Sequence, residues 1–226
     1  MHKESLSFTL RPVESHEDLQ LACQVRAEAY GYKVPAYRES MLDPDAIDLS
    51  PLTTVFLCQD KVTGRPVGSM RIQAAYGSRG EVELEKYVPM LPSISASRRG
   101  EISRLSAPVG VDPFIRLSLW KAGYLACKEN NIRWLVMGVR KPALIRAYEQ
   151  MGARDIYEDK REFPLAHGGG LNYRVFALDI EHCYEHWSVS GHPLLNFMTT
   201  TTHPDIAVVP PSVDRRPAEE VGLHIV

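Results

Sequence analysis

Glu101 and Arg104 stand in the segment Glu101-Ile-Ser-Arg-Leu-Ser-Ala-Pro-Val-Gly-Val-Asp112, whose other residues read as a buried strand running straight into a helix. Ionised groups buried without partners carry a heavy desolvation cost. The pair is therefore either a mutually satisfied structural ion pair or part of a working site. Other charges upstream share this setting. Arg26 lies on the stripe Leu19, Cys23, Arg26, Tyr30 of a helix that Ser15-His-Glu-Asp18 opens with a capping-box pattern. Asp43, Asp45 and Asp48 follow in an irregular stretch, and Arg71 sits within the strand-like run Val67–Gln73. Three arginines and several carboxylates, each tied to an apolar element, predict one shared cluster.

The elements that must position this cluster are legible from period and punctuation. Thr54–Cys58 and Val67–Gln73 read as two strands joined by the turn Lys61-Val-Thr-Gly-Arg-Pro66. Downstream of Glu101, Asp112 is a good N-cap and Pro113 a good first helical residue. Phe114, Leu117, Trp120 or Lys121, Tyr124 and Cys127 then recur at helical spacing up to Asn130-Asn131. Trp134–Val139 is a short apolar run, a buried strand, and Pro142 to Gly152 is a helix opened by proline and stopped by glycine. Strand, helix, strand, helix implies a right-handed crossover and at least two parallel strands.

This succession resembles the GNAT superfamily of N-acyltransferases over residues 50–180, the closing helix Leu144-Ile-Arg-Ala-Tyr-Glu-Gln-Met-Gly-Ala-Arg154 above all. The resemblance implies an α/β fold: a central mixed, mostly antiparallel sheet with a splayed parallel strand pair, flanked by helices. The ordered set Arg26, Asp45, Asp48, Arg71 and Glu101-x-x-Arg104, with the loop Leu84-Glu-Lys-Tyr-Val-Pro-Met-Leu-Pro92, is similar to acyl-homoserine lactone synthases and the related long-chain N-acyl amino acid synthases. Lactone synthases typically carry a tryptophan shortly after the first helix. Here Tyr30, Tyr32 and Tyr37 occupy that region and the first tryptophan is Trp120, which favours the amino-acid-acylating relatives.

The resemblance implies transfer of a fatty acyl group from a thioester to the amine of an amino acid, with a homoserine lactone product or a noncatalytic acyl-binding domain as alternatives. An amine attacks a thioester only when unprotonated, so a base must take its proton, and Glu101 is the candidate, with Arg104 beside it. Arg104 would lower the Glu101 pKa and burial would raise it. Backbone N–H groups from Leu105 to Ala107 are placed to stabilise the oxyanion. Arg26, Arg71 or Arg104 would hold the acceptor carboxylate, unless all three brace the loop of Asp45 and Asp48. Tyr30, Asp45 and Asp48 complete the expected substrate-binding set.

The donor is expected to be an acyl-phosphopantetheine thioester with no tightly bound cofactor. The turn Pro108-Val-Gly-Val-Asp-Pro113 has one glycine and an acidic cap where a Gly-rich loop would hold a CoA pyrophosphate. That favours an acyl carrier protein over CoA. Carrier proteins are generally acidic, so a basic rim is expected. Arg140 and Lys141 follow the second parallel strand and lie nearer the donor entrance than Arg98 and Arg99.

Composition fits an enzyme with one core: 226 residues, 44% hydrophobic, net charge −2. That charge speaks against nonspecific nucleic-acid binding, and no run approaches the roughly 20 apolar residues of a membrane span. With no signal-peptide pattern and four dispersed cysteines without a CxxC pair, a cytoplasmic location with reduced thiols is expected. His182 and His186 are four residues apart, but no third ligand is placed, and no metal is expected. Asn172–Asp179 reads as a strand, Trp187–Phe197 as a cover for the acyl tunnel. Residues 1–198 are expected to form the acyltransferase domain and residues 199–226, rich in Thr, Pro and charge, a loosely attached tail.

Overall fold

The computed structural model describes residues 5–32, 34–77, 80–166 and 169–208. Strand β1 (Phe8–Pro12) leads into helix α1 (His16–Gly31) and the short α2 (Ala36–Ser40). Strands β2 (Thr53–Asp60) and β3 (Pro66–Tyr76) follow, then a 3-10 turn (Glu83–Lys86), α3 (Pro92–Ser95) and β4 (Arg98–Ser106). The second half runs α4 (Phe114–Glu129), β5 (Trp134–Val139), α5 (Pro142–Gln150), β6 (Arg154–Asp155), β7 (Phe163–Leu165), β8 (Leu171–Asp179), α6 (Cys183–Val189) and α7 (Leu195–Thr199). The expected elements are present, and the second parallel strand has the expected bounds.

The sheet order is β1-β2-β3-β4-β5-β8-β6, with β7 also pairing with β8. All neighbours are antiparallel except β4 and β5. That parallel pairing covers only Arg99, Gly100 and Glu101 against Trp134, Leu135 and Val136. Past Glu101, β4 stays on β3 as far as Ser106 while β5 stays on β8 as far as Val139, so a wedge opens between them.

Side-chain alternation assigns the two faces. Met70 and Ile72 of β3 pack against α4, where a Cβ on Gly123 would come 3.1 Å from Met70 Cε. Arg71 points the other way, as do Val55 and Leu57 of β2, which pack against Leu19 and Ala22 of α1. On the α4 side, Trp120 meets Tyr148 of α5, Tyr124 meets Trp187 of α6, and Phe114 meets Phe197 of α7. Trp187 and Phe197 thus pack on α4, and Trp187 Nε1 donates to the Met151 carbonyl. The stretch expected to cover an acyl tunnel serves this packing. On the opposite face, Val82, Leu84, Val88 and Ile94 cover Val136, Val175 and Ala177.

Two helix starts differ in detail from the expected caps. Ser15 caps α1 by accepting from Asp18 N–H, but the Asp18 carboxylate turns to Arg11 at 2.6 Å and to the Glu14 amide rather than closing the box on Ser15. Pro113 is the cap of α4, one residue later than expected, while the Asp112 side chain still accepts from Phe114 N–H at 2.9 Å. The start of the expected loose tail is also pinned to the sheet. Ile206 pairs with Leu10, Asp205 accepts from Leu6 N–H through its side chain and Leu10 N–H through its carbonyl, and Lys61 lies 2.6 Å from its carboxylate. Residues 203–207 therefore cover the exposed edge of β1, while residues 209–226 lie outside the described residues.

Lys121 is 1% exposed on the inner side of α4, with no hydrogen-bond partner for its ammonium among the described residues. Its Nζ lies 4.6 Å from the centre of the Phe197 ring. Burial pushes its pKa down to about 8. A group depressed in the folded state binds its proton more tightly when unfolded, so stability declines as pH falls from about 10 through 8. Lys121→Met keeps the length and removes the buried charge. Denaturant unfolding at pH 7 should show a gain of about 1 kcal/mol that shrinks toward pH 10.

Candidate functional site

The wedge apex is where the charges meet. Arg71, on the middle of β3, has no exposed side-chain surface. Its Nη1 donates to both Asp45 oxygens at 2.7 and 2.8 Å and lies 3.3 Å from Asp48 Oδ1. Its Nη2 donates to Glu83 at 2.8 Å and its Nε to Ser103 Oγ at 3.0 Å. Arg26, 2% exposed on α1, donates from Nη1 to both oxygens of Asp48 at 2.9 and 2.8 Å. Arg104 Nη2 reaches Asp45 at 3.3 Å. The expected cluster of arginines and carboxylates therefore exists, and Asp43 lies exposed outside it.

The carboxylates also fold their own loop. Asp45 accepts from the backbone N–H groups of Ile47 and Asp48, and Asp48 from that of Asp45. Burial opposes ionisation of Asp45, but hydrogen bonds from Arg71 and the charges of Arg71 and Arg104 overcome it and hold the carboxyl well below its ordinary range. Arg71 is thus occupied on every nitrogen, and its role here is to brace. Arg26 Nε and Nη2 have no partner among the described residues and Arg104 makes one long contact, so these two retain unused hydrogen-bond donors.

Glu101 lies at the last paired position of β4 before the wedge, 1% exposed. Its Oε2 accepts from Leu84 N–H at 2.7 Å. Burial is the largest influence and, with the Glu83 charge, pushes its pKa up to about 8 against the pull of Leu84 N–H, Arg71 and Arg104. Of the two opposing influences weighed from sequence, burial dominates. A carboxyl in that range is a competent base at mildly alkaline pH.

Beyond Glu101, β4 is irregular in a way that exposes backbone. The β3–β4 register slips between Ser103 and Ser106, placing Arg104 and Leu105 opposite the single residue Met70. This is a bulge, and Arg104 takes φ +55 within it. A left-handed non-glycine residue costs roughly 1–3 kcal/mol, and such strain concentrates at functional sites. With β5 already parted, the β5-facing backbone of residues 102–106 has no ladder partner among the described residues. Leu105 lies in the bulge, and Ala107 lies just past the strand, its carbonyl held by Arg116 at 2.9 Å.

Tyr30 reaches the cluster from α1. Burial pushes its phenol up, against the charges of Arg104, Arg26 and Arg71 and a hydrogen bond with Ser106. Tyr37 on α2 approaches the β7–β8 loop so closely that a Cβ on Gly169, at φ +73, would collide with its hydroxyl. Only glycine fits there. Arg140 and Lys141 are exposed at the end of β5, on the wedge side, as is Arg98 at the opposite end of β4. Arg99 is instead buried and held by Glu85 at 2.7 Å, so it is no part of a basic rim.

Sequence reading missed Glu83, Ser103 and the Glu85–Arg99 pair. Glu83 adjoins the loop singled out from Leu84 onward, and its signal was a carboxylate next to the buried pair Val82 and Leu84. At the far end of β5 and β8, a cavity of about 500 Å³ is lined by Trp134, Ile94, Met151, Asp179, His182 and His186, among others. His182 bonds Asp179 at 3.0 Å, and Asp179, Glu181 and His182 bring ligand atoms within 4.8 Å of one another. Arg133 lies 3.4 Å from Glu181 and already offsets this charge. Among the described residues, no helix is long and apolar enough to cross a membrane.

Glu101→Gln should keep the Leu84 hydrogen bond while removing the buried ionisation. A carboxyl raised in the folded state is more readily ionised in the unfolded chain, so wild-type stability falls as pH rises from about 4.5 through 8. Thermal melts should show the variant matching wild type near pH 5 and exceeding it at pH 9. Parallel melting curves at both pH values would mean that Glu101 does not titrate in this window.

No protein-family model and no curated protein matches the sequence. Solved structures do match in fold. An N-acyl amino acid synthase from uncultured soil microbes, FeeM, superposes with a TM-score of 0.60 at 15% identity, covering 84% of this chain and 99% of its own. A CoA-dependent acyl-homoserine lactone synthase, BjaI, gives 0.60 at 13% identity over 92% and 96%. The acyl-homoserine lactone synthase LasI gives 0.52 at 16% identity over 76% and 88%. With the mixed sheet and its splayed β4–β5 pair, these likenesses establish that the chain has the GNAT fold.

Proposed function

We propose that the protein is an N-acyltransferase that moves a fatty acyl group from a carrier thioester to the amine of an amino acid. The observation that carries this reading is the buried Glu101 carboxyl at the apex of the wedge, beside guanidinium groups that retain donors. In the reaction, the amine nitrogen attacks the thioester carbonyl carbon as Glu101 takes its proton. The backbone of Leu105 to Ala107 stabilises the oxyanion, the C–S bond breaks, and the pantetheine sulfur leaves as the thiol, receiving the proton that Glu101 took from the amine. Arg104 and Arg26 hold the acceptor carboxylate, with Tyr30 beside them, while Arg71, Asp45 and Asp48 keep this set in place. The solved structures described as N-acyl amino acid synthase and acyl-homoserine lactone synthases support this choice of reaction.

Acyl carrier protein is the preferred donor in this reading. Asp112 lies just before α4, its carboxylate accepting from Phe114 N–H at the helix start, where a CoA pyrophosphate would need donors. Arg140 and Lys141 offer the acidic carrier a docking rim. Incubation with acyl carrier and acyl-CoA thioesters, the twenty amino acids and S-adenosylmethionine, with products weighed by mass spectrometry, tests the reaction. Acyl amino acids should form, with carrier thioesters used at least as well as CoA thioesters of equal chain length. A lactone product from S-adenosylmethionine would assign the lactone synthase activity instead, and no product from any acceptor would overturn catalysis.

In the same assay Glu101→Gln should reduce turnover by a factor on the order of 10² or more in a folded protein. Wild-type turnover would remove Glu101 from the mechanism. Reversing Arg140 and Lys141 to Glu should raise KM for the carrier thioester and weaken its salt dependence, while a small pantetheine thioester reacts unchanged. Equal damage to both donors would mean that the two residues serve the fold or the chemistry rather than docking.

A further inference from the structure

Arg99 is 3% exposed on β4, two residues before Glu101, and the reaction above does not use it. Its guanidinium is spent on one neighbouring stretch of chain. Nη1 donates to the carbonyls of Gly77, Ser95 and Ser97 at 2.8, 2.9 and 3.3 Å, and Nη2 to that of Gly80 at 3.2 Å. Nε and Nη2 also grip the Glu85 carboxylate, 9% exposed, at 2.9 and 2.7 Å. Arg99 therefore holds backbone on both sides of the 3-10 turn as well as a side chain of the turn itself.

Glu85 passes the constraint on. The oxygen that takes Arg99 Nη2 also accepts from Val82 N–H at 2.9 Å, which folds the turn onto itself. From that turn Leu84 N–H donates to Glu101 Oε2 at 2.7 Å. β3 holds the same turn from its other side, where Gln73 accepts from Glu83 N–H at 2.9 Å and donates to the Glu81 carbonyl at 3.1 Å. Gln73 stands opposite Glu101 in the β3–β4 register. The turn is thus clamped between two strands, and the amide it turns toward β4 is the one that meets the Glu101 carboxyl.

We propose that Arg99 is a positioning residue: through Glu85 and the turn that Glu85 folds, it sets Leu84 N–H against Glu101 and so holds the base in place for the amine. The role of Glu101 as base rests on the acyltransfer reading above, whereas the chain of hydrogen bonds does not. A backbone N–H donated to a carboxylate favours the ionised form. Moving Leu84 N–H away therefore makes Glu101 harder to ionise. General loosening of the stretch lets water reach the carboxyl and makes it easier to ionise. The two effects have opposite signs, which separates positioning from mere stability.

The test uses two variants that keep every charge. Arg99→Lys lacks the guanidinium fork, and Glu85→Asp is one methylene too short to hold Arg99 and Val82 N–H together. In the 15N-labelled, ligand-free protein, the wild-type Leu84 amide should shift downfield as Glu101 ionises, and Glu101→Gln should abolish that step. Both variants should lose most of it. An unchanged step in a folded variant overturns the proposal, as does a wild-type Leu84 amide that ignores the Glu101 titration. If Arg99→Lys does not fold, Glu85→Asp carries the test alone. Val88→Ala is the control, because Val88 is buried in the same stretch and its side chain takes no part in these hydrogen bonds. It should keep the step, and losing it there too would assign the effect to loosening and overturn the proposal.

Kinetics adds a second readout. In both variants kcat should fall at least about tenfold, with the acceptor KM within about twofold of wild type. The acid limb of kcat/KM should move to higher pH by about half a unit or more. A limb that moves to lower pH, or a profile lowered uniformly, means loosening and overturns the positioning role. A protein that transfers acyl groups to no amine, yet loses the Leu84 step in the variants, would end the acyltransfer reading and keep the chain of hydrogen bonds. Wild-type transfer kinetics in variants that have lost the step would do the reverse.

Discussion

Arg71 sits on the central part of β3 with no exposed surface, and a guanidinium in that position has to be neutralised where water cannot reach it. The chain does so by bringing Asp45 and Asp48 from the stretch before β2, and Glu83 from the stretch before β4, onto one side chain. The stretch before β2 has no strand or long helix of its own and is held largely by these ion pairs, whereas the stretch before β4 also packs Val82, Leu84, Val88 and Ile94 over β5 and β8. Breaking a buried pair of this kind by removing one partner costs roughly 3–5 kcal/mol, because the other partner is left charged and buried. Through Glu83 the same arginine fixes Leu84, and through Leu84 it fixes the carboxyl of Glu101.

The sheet supplies what the charges cannot. Parallel pairing of β4 and β5 stops at Glu101, and each strand then follows its antiparallel neighbour. The bulge that holds Arg104 at positive φ stores strain where β4 has lost its β5 partner. That strain is borne because β3 pairs with β4 on both sides of the bulge. The fold thus brings a carboxyl, a guanidinium and, among the described residues, backbone without a ladder partner to one place.

Sequence alone carried the local part of this. Trp134–Val139 is apolar and bounded, Pro142 and Gly152 punctuate a helix, and Ser15 caps another, so those elements were readable from neighbours in the chain. The cluster was readable as a cluster because charged residues recur on apolar faces. Its wiring was not. That Arg71 would be filled on every nitrogen, leaving Arg26 and Arg104 with spare donors, depends on which loop reaches which strand. Glu83 lies in a stretch with no period to mark it, and Asp205 meets Leu6 and Lys61 across nearly the whole length of the chain. Pro113 rather than Asp112 caps α4 because the Asp112 side chain lies one residue outside the helix, accepting from Phe114 N–H.

The wedge as the place where the thioester lies is the claim on which the functional account rests. A crystal structure of the protein with a non-cleavable acyl-pantetheine thioether tests it most directly. The account predicts the carbonyl-equivalent carbon between β4 and β5, with its oxygen on backbone N–H groups from Leu105 to Ala107 and Glu101 facing the acceptor side. An analogue seated elsewhere, such as in the cavity lined by Trp134, Met151 and His186 at the other end of β5, with the wedge closed over it, would contradict that claim.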